Sequence, residues 1–278
     1  MLEVREWSGA DTVRFLRIPT AVDDKYSRGV VALRTGADAY PGAAVLGVEA
    51  AWRTGAGFVR FVGAGRAADA VIARRPETVA APDAGKTRVD AWVIGSGTDA
   101  AQRTSQELAA LRGILTGGAP VVVDAGALDL APDATAPILA TPHAGEFARL
   151  RDRLGLDPDG SDDRAANASQ TATALGQTVL LKGATTLVAA SDGTVISVAS
   201  APSWLATAGA GDVLAGILGA LLAANPAAHV AEVAAAGAWL HGHAAALASE
   251  TSNVRAGHPI VALDVAEALP GAIGDLLS

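Results

Sequence analysis

Thr207–Ala223 reads TAGAGDVLAGILGALLA, a glycine turn, a single acid and an apolar helix in immediate succession, and the rest of the chain is read outward from it. Val213, Leu214, Ile217, Leu218, Leu221 and Leu222 recur with a helical period, so Asp212 falls at or near the start of a helix that Asn225-Pro226 ends. Gly209 and Gly211 permit backbone geometry that residues with a Cβ resist, and let the chain approach a ligand closely. A helix N-terminus behind such a turn offers unpaired N–H groups and the positive end of the dipole, which suits phosphate or developing negative charge. Beside that anion hole, Asp212 is placed either to take a proton from an attacking hydroxyl or to cap the helix. The local residues leave both roles open.

Upstream, short apolar runs alternate with helical patterns. Strands are predicted at 30–33, 58–62, 91–94, 121–123 and 138–141, with helices from Pro41 through Trp52, at 67–75 and at 100–115. An Asp-rich loop at 157–168 enters a helix ending at Leu175-Gly176. Strand-like runs at 178–181, 186–190 and 194–198 follow, the last two joined by the hairpin signal Ser191-Asp192-Gly193. An Ala-rich helix is expected at 230–249 and a short final one at 264–269, while residues 1–19 read as an arm or short helix. The alternation predicts an α/β fold with a central, mainly parallel sheet flanked by helices on both faces, and some antiparallel strands toward the C-terminal half. No shift of composition marks a linker, so 1–278 is read as one domain. Function is then expected at the carboxyl ends of the strands, where Gly95-Ser96-Gly97, Asp124, His143 with Glu146, and Lys182-Gly183 stand.

The bulk numbers narrow the function classes. In 278 residues, 50% are hydrophobic and 18% charged, the make-up of a packed globule. Cysteine is absent, which removes disulfide scaffolds, thiolate metal sites and a cysteine nucleophile. A net charge of -8 with no basic run argues against nucleic acid. With no charged-then-apolar leader and no membrane-length apolar run, a cytoplasmic protein is expected.

Several chemistries lack their signatures. Gly-x-Gly occurs at 55/57, 63/65, 95/97 and 209/211 but never completes the dinucleotide fingerprint, and neither a Walker loop nor a G-x-S-x-G elbow is present. His241 and His243 on one helix point about 200° apart and are read as packed or surface residues, not an ion-binding pair. Thr141-Pro142-His143-Ala144-Gly145-Glu146 sets an imidazole and a carboxylate three apart after a buried strand. Glu146 suits Mg²⁺ held through water, or simply a helix start. Lys182-Gly183-Ala184-Thr185-Thr186 joins a cation to hydroxyls and suits nucleotide phosphates, or forms a plain turn. Together these pieces describe phosphoryl transfer by positioning, Mg²⁺, an anion hole and one base.

TPHAGEF, LKGATT and TAGAGDVLAG, in that order, resemble the ribokinase-like superfamily and, within it, the ADP- or ATP-dependent NAD(P)H-hydrate dehydratases. DKYSRGVVAL, YPGAAVLGVEAAWRTGAGFV, VIGSGTDA and VVVDAGALDL extend the resemblance over nearly the whole chain. It implies repair of hydrated NADH or NADPH: a nucleotide phosphorylates the ring hydroxyl, and the ring nitrogen lone pair then expels phosphate. It further implies Asp212 as the base, the Gly209 to Gly211 turn as the stabiliser of the transferring phosphoryl, and Ala43, Gly97, His143 and Asp212 as substrate contacts. Lys182, Gly183, Ala184, Thr185, Thr186 and Gly211 would bind ADP or ATP, and Glu146 would place Mg²⁺. A homo-oligomer, a homotetramer, is expected, along with a separate epimerase acting on the same metabolite, since no epimerase domain precedes this one. The sequence departs from the family at Ala208, where glycine is usual, in GSGTD at 95–99, and at Gly126, where relatives often have Asp. The competing readings are a vitamin or sugar kinase of the same fold and a nucleotide-binding module without catalysis.

Overall fold

Alternate residues of each strand divide between two buried clusters. Val122 joins Val31, Leu33, Val93 and Leu139 in one, whereas Val121 and Val123 join Ile94, Ile138 and Ala140 in the other. Strands that are apolar on both sides need cover on both, which sets a sheet between two layers of helices. The computed structural model, which describes residues 2–278, has this architecture.

Ten strands form one sheet among the described residues: β1 (Arg5–Glu6), β2 (Val30–Arg34), β3 (Phe58–Val62), β4 (Val79–Ala81), β5 (Ala91–Ile94), β6 (Val121–Val123), β7 (Ile138–Ala140), β8 (Thr178–Leu181), β9 (Thr186–Ala189) and β10 (Val195–Val198). Their spatial order is β1-β10-β9-β8-β7-β6-β5-β2-β3-β4, and only β9 runs against its neighbours. One face is covered by α2 (Pro41–Arg53), α3 (Gly65–Arg74), α7 (Ala210–Ala224), α8 (Val230–Ala248) and α9 (Ala262–Leu277), with α1 (Gly9–Val13) beside α8. The other is covered by α4 (Ser105–Leu115), α5 (Ala144–Arg153) and α6 (Arg164–Leu175).

The expected fold class holds, and four element boundaries need correction. The N-terminal arm contributes β1, which pairs with β10, before Ser8 caps α1. The helix expected at 100–115 is a 3-10 turn at Ala100–Gln102 followed by α4, because the Thr104 hydroxyl accepts from the Glu107 N–H (3.1 Å) and starts a new helix. Helix α6 begins inside the expected 157–168 loop, since the Asp163 carboxylate accepts from Ala165 N and Ala166 N (2.9 and 3.0 Å). Helix α9 continues through Pro270, where the sequence suggested a stop; Leu269 and Ala272, both fully buried, hold the two sides of the proline against the core.

Two features of this fold position the site. The chain runs outward through β2, β3 and β4 and returns to β5 on the other side of β2, leaving a crevice at the carboxyl ends of β2 and β5. Helices α2 and α7 meet backbone to backbone, for a Cβ at Gly216 would lie 2.2 Å from the Gly47 carbonyl oxygen. The start of α7 is thereby held beside α2 on the same side of the sheet.

Candidate active site

Because β5, β6, β7 and β8 are parallel, the residues that follow them gather at one edge. They converge on Asp124, just beyond β6 and 3% exposed. Its Oδ1 accepts from Thr141 Oγ1 and Lys182 Nζ (both 2.8 Å), and its Oδ2 from Ser96 Oγ (2.9 Å). The next residue, Ala125, has φ 43°, a left-handed conformation that a residue with a Cβ adopts at a cost of about 1 kcal/mol or more.

Asp212 is the third residue of α7. The cap position belongs to Gly209 (φ 86°), and no side chain caps the helix, so the capping role left open by the sequence is not the one Asp212 plays. No described residue donates a hydrogen bond to its carboxylate. Burial, and then the negative charge of Asp124, push its pKa up to about 6, against the opposing pull of Lys182. The Lys182 ammonium stands over the glycine turn, 3.6 Å from where a Cβ of Gly211 would be. The start of α7 therefore combines helix N–H groups, a fixed cation and a carboxylate poised near neutral pH.

His143 caps α5. Its Nδ1 accepts from Gly145 N (3.1 Å), and the His143 backbone N–H donates to Glu146 Oε2 (2.8 Å). Glu146 also lies 3.8 Å from Lys182 Nζ, which ties this capping box to the Asp124 cluster. The helix-start role of Glu146 is thus realised in the structure, and among the described residues no three His, Asp or Glu side chains gather as a metal cage. Gly97 (φ 66°) and Ala43 lie against each other across the crevice between β2 and β5, since a Cβ on Gly97 would come within 2.2 Å of the Ala43 Cβ.

On the far side of Lys182, residues Lys182, Gly183, Ala184, Thr186 and Gly211 line a cavity of about 430 Å³ together with Pro202, Leu205, Ala210 and His241. Thr185 does not line it; its carbonyl accepts from Arg164 Nη1 (3.1 Å) and fixes the β8–β9 turn. His241, read from the sequence as packed or surface, is buried, yet it also forms a wall of this cavity with its Nε2 unpartnered. Burial pushes its pKa down to about 4, so the ring is neutral near pH 7. His243 instead packs against Trp239 at a tilt, ring centroids 4.9 Å apart, and the two histidines do not share a site.

All three departures from the family pattern find a physical account. Ala208 is exposed and has an ordinary φ; the left-handed residue of the turn is Gly209, so a methyl at 208 is accommodated. GSGTD and Gly126 touch each other, because a Cβ at Gly126 would lie 2.3 Å from the Thr98 carbonyl oxygen. The roles of Asp124, Ser96 and Thr141 were not assigned from the sequence. An acid closing the wholly apolar run Val121–Val123 was the available signal.

The fold and this edge define a ribokinase-like α/β protein in which an acid without a hydrogen-bond donor, Asp212, lies in the first turn of a helix behind a glycine turn. The chain matches the NAD(P)H-hydrate dehydratase family over residues 31–266 and belongs to it. It is 42% identical over 231 residues to the bifunctional NAD(P)H-hydrate repair enzyme Nnr of Mycobacterium tuberculosis, covering 80% of this chain and 47% of that protein. The chain therefore spans about half the length of the bifunctional relatives it matches. It is 40% identical over 248 residues to the ADP-dependent (S)-NAD(P)H-hydrate dehydratase of Neisseria meningitidis serogroup B, covering 82% of this chain and 80% of that one. The crystal structure of ADP/ATP-dependent NAD(P)H-hydrate dehydratase from Bacillus subtilis, co-crystallized with ATP/Mg²⁺, superposes with a TM-score of 0.85 over 99% of this chain and 100% of that one, at 27% identity.

Proposed function

We propose that the protein repairs nicotinamide nucleotides, dehydrating (6S)-NAD(P)H hydrate to NAD(P)H with ADP or ATP as phosphoryl donor. The observation that carries the reading is Asp212, an ionisable group with no hydrogen-bond donor, raised to about 6 and set at the start of α7 beside Lys182. Family membership and the activities of the relatives favour it over the vitamin-kinase and non-catalytic readings.

The donor nucleotide occupies the cavity beyond Lys182, its terminal phosphate against Gly209 to Gly211. The substrate ring enters between Ala43, Gly97 and His143. Asp212 accepts the proton of the ring hydroxyl as that oxygen attacks phosphorus and the bond to the donor's leaving phosphate breaks. Lys182 and the N–H groups of α7 stabilise the charge on the transferring group. The ring nitrogen lone pair then breaks the carbon–oxygen bond, inorganic phosphate departs, and loss of a ring proton restores the reduced nicotinamide. Asp124 binds neither ligand in this scheme; it holds Lys182 in place.

The residues fit a Mg²⁺ ion that arrives with the nucleotide. Such an ion takes one or two carboxylates and completes its shell with phosphate and water oxygens, and Glu146 keeps one oxygen outside the capping bond. Bound there, it would neutralise phosphate charge. The resemblance also brings into the proposal a cytoplasmic location, a homotetramer and a separate epimerase supplying the (6S) form. No described helix is long and apolar enough to cross a membrane.

The test is incubation with NADH hydrate or NADPH hydrate, Mg²⁺ and ADP or ATP, following the return of reduced-nicotinamide absorbance. Recovery that requires a nucleotide is expected; no recovery with either nucleotide would overturn the reading.

A further inference from the structure

Two clefts of nearly equal size open at the carboxyl edge of the sheet, and their charges differ. The first, about 600 Å³, contains Arg34 and Arg103, but both are neutralised: Arg34 pairs with Glu107 (2.5 Å) and Arg103 with Asp129 (2.7 Å). The second, about 550 Å³, runs from Gly126 and Glu146 along α5 to Arg149 and Arg153. Neither of these arginines has a described carboxylate within 4.0 Å, although the chain carries 29 acidic residues.

The acids that share the second cleft are engaged elsewhere. Asp129 is held by Arg103, Asp99 accepts from Ala101 N (2.9 Å), and Glu146 closes the α5 capping box (2.8 Å). Arg149 and Arg153 stand four apart on α5, so they project from one face with their Cβ atoms about 5–6 Å apart. Arg149 folds back over the first turn of α5, its Nη1 3.8 Å from where a Cβ of Gly145 would lie, next to the His143 cap. An unpaired guanidinium presents a planar fork of donors that matches phosphate oxygens.

From this we infer that Arg149 and Arg153 form a phosphate subsite that binds the dinucleotide substrate and directs it into the second cleft. The inference rests on the proposed repair activity only for the name of the substrate. A hydrated dinucleotide with its ring at His143 has a chain of phosphates to place, and this cleft supplies the unneutralised cations. The phosphate that binds is either the pyrophosphate common to both dinucleotides or the ribose 2′-phosphate found only in the NADP series.

The test compares wild type with Arg149→Ala/Arg153→Ala and with Arg149→Lys, at fixed ionic strength because exposed charge contacts are screened by salt. Equilibrium binding of NAD⁺ and NADP⁺ is measured alongside the KM for each hydrate and for ADP and ATP. The double variant should weaken dinucleotide binding at least about tenfold and raise the hydrate KM in step, with nucleotide KM unchanged and Arg149→Lys intermediate. Equal loss for both dinucleotides assigns the pyrophosphate; loss confined to NADP⁺ and NADPH hydrate assigns the 2′-phosphate. Unchanged affinity for both, or a loss confined to ADP and ATP, overturns the subsite. Wild type that binds NADP⁺ through these arginines but restores no reduced nicotinamide would sink the repair reading and leave the subsite standing.

Discussion

Glu49 and Asp212 sit on packed neighbours, α2 and α7, and burial acts on both to disfavour charge, yet they end in opposite states. Glu49 is fully buried, and its carboxylate accepts from Arg53 Nε and Arg75 Nε (both 2.5 Å), from Arg75 Nη2 and from Arg74 Nε (3.4 Å). Burial pushes its pKa up, and the hydrogen bonds and charges of Arg75 and Arg53 more than reverse this, so it lies below the usual carboxylate range. Asp212 is less buried but receives no hydrogen bond, has a second carboxylate nearby, and rises to about 6. The supply of donors, more than the depth of burial, separates an acid held ionised from one poised near neutral pH.

The largest effect that sharpens this contrast is on turnover. Asp212→Asn keeps the shape and removes the proton acceptor, so kcat should fall about a thousandfold while nucleotide Kd stays within about twofold. Unchanged kcat would show that Asp212 is not the base.

Stability should separate the two acids next. Glu49→Gln leaves the arginine cluster without its anion and should destabilise by about 3 kcal/mol, the low end for a broken buried pair because the arginines reach solvent. Asp212→Asn should act in the other direction. Its folded pKa is raised, so the stability linked to it is full below its ordinary value of 3.8 and lost as pH rises through about 6. The variant should therefore melt higher than wild type at pH 8 and equal to it at pH 4. Glu49 has a lowered pKa, so its contribution is present above its ordinary value of 4.5 and fades as pH falls. Thermal melts of both variants across pH check the signs.

Smaller effects come from the turn before Asp212. Gly209→Ala forces a left-handed residue, at about 1–2 kcal/mol, and brings a Cβ within 2.6 Å of Leu46 Cδ1, so Tm should fall and turnover drop at least about tenfold. Ala208→Gly, one residue earlier, should change stability by no more than about 0.5 kcal/mol and leave turnover near wild type. If the two substitutions behaved alike, the distinction between a required and a tolerated position in this turn would be lost.

Eight of the ten strands, all but β1 and β4, and the order of the site residues were legible in the sequence because strand period and strand-end chemistry are local. Val121–Val123, Thr178–Leu181 and the Ser191-Asp192-Gly193 hairpin stand where they were read. Boundaries set by capping were less legible: Thr104 and Asp163 each begin a helix inside a stretch whose composition suggested otherwise. The pairing of site residues was not legible at all. Nothing local links Asp124 to Ser96, Thr141 and Lys182, since parallel strands bring together residues as many as 58 positions apart. The same holds for His241, whose alanine-rich helix reads as core and whose ring meets the cavity beyond Lys182 only in the folded chain.

The claim at the centre of this account is that the unpaired carboxylate of Asp212 takes the proton of the substrate hydroxyl. The pH dependence of kcat/KM for NADH hydrate tests it most directly, because that quantity reports the ionisation of the free enzyme. An acid limb of unit slope with its midpoint near 6, absent from the residual activity of Asp212→Asn, is expected. A wild-type profile that stays flat from pH 8 down to pH 5 would contradict it.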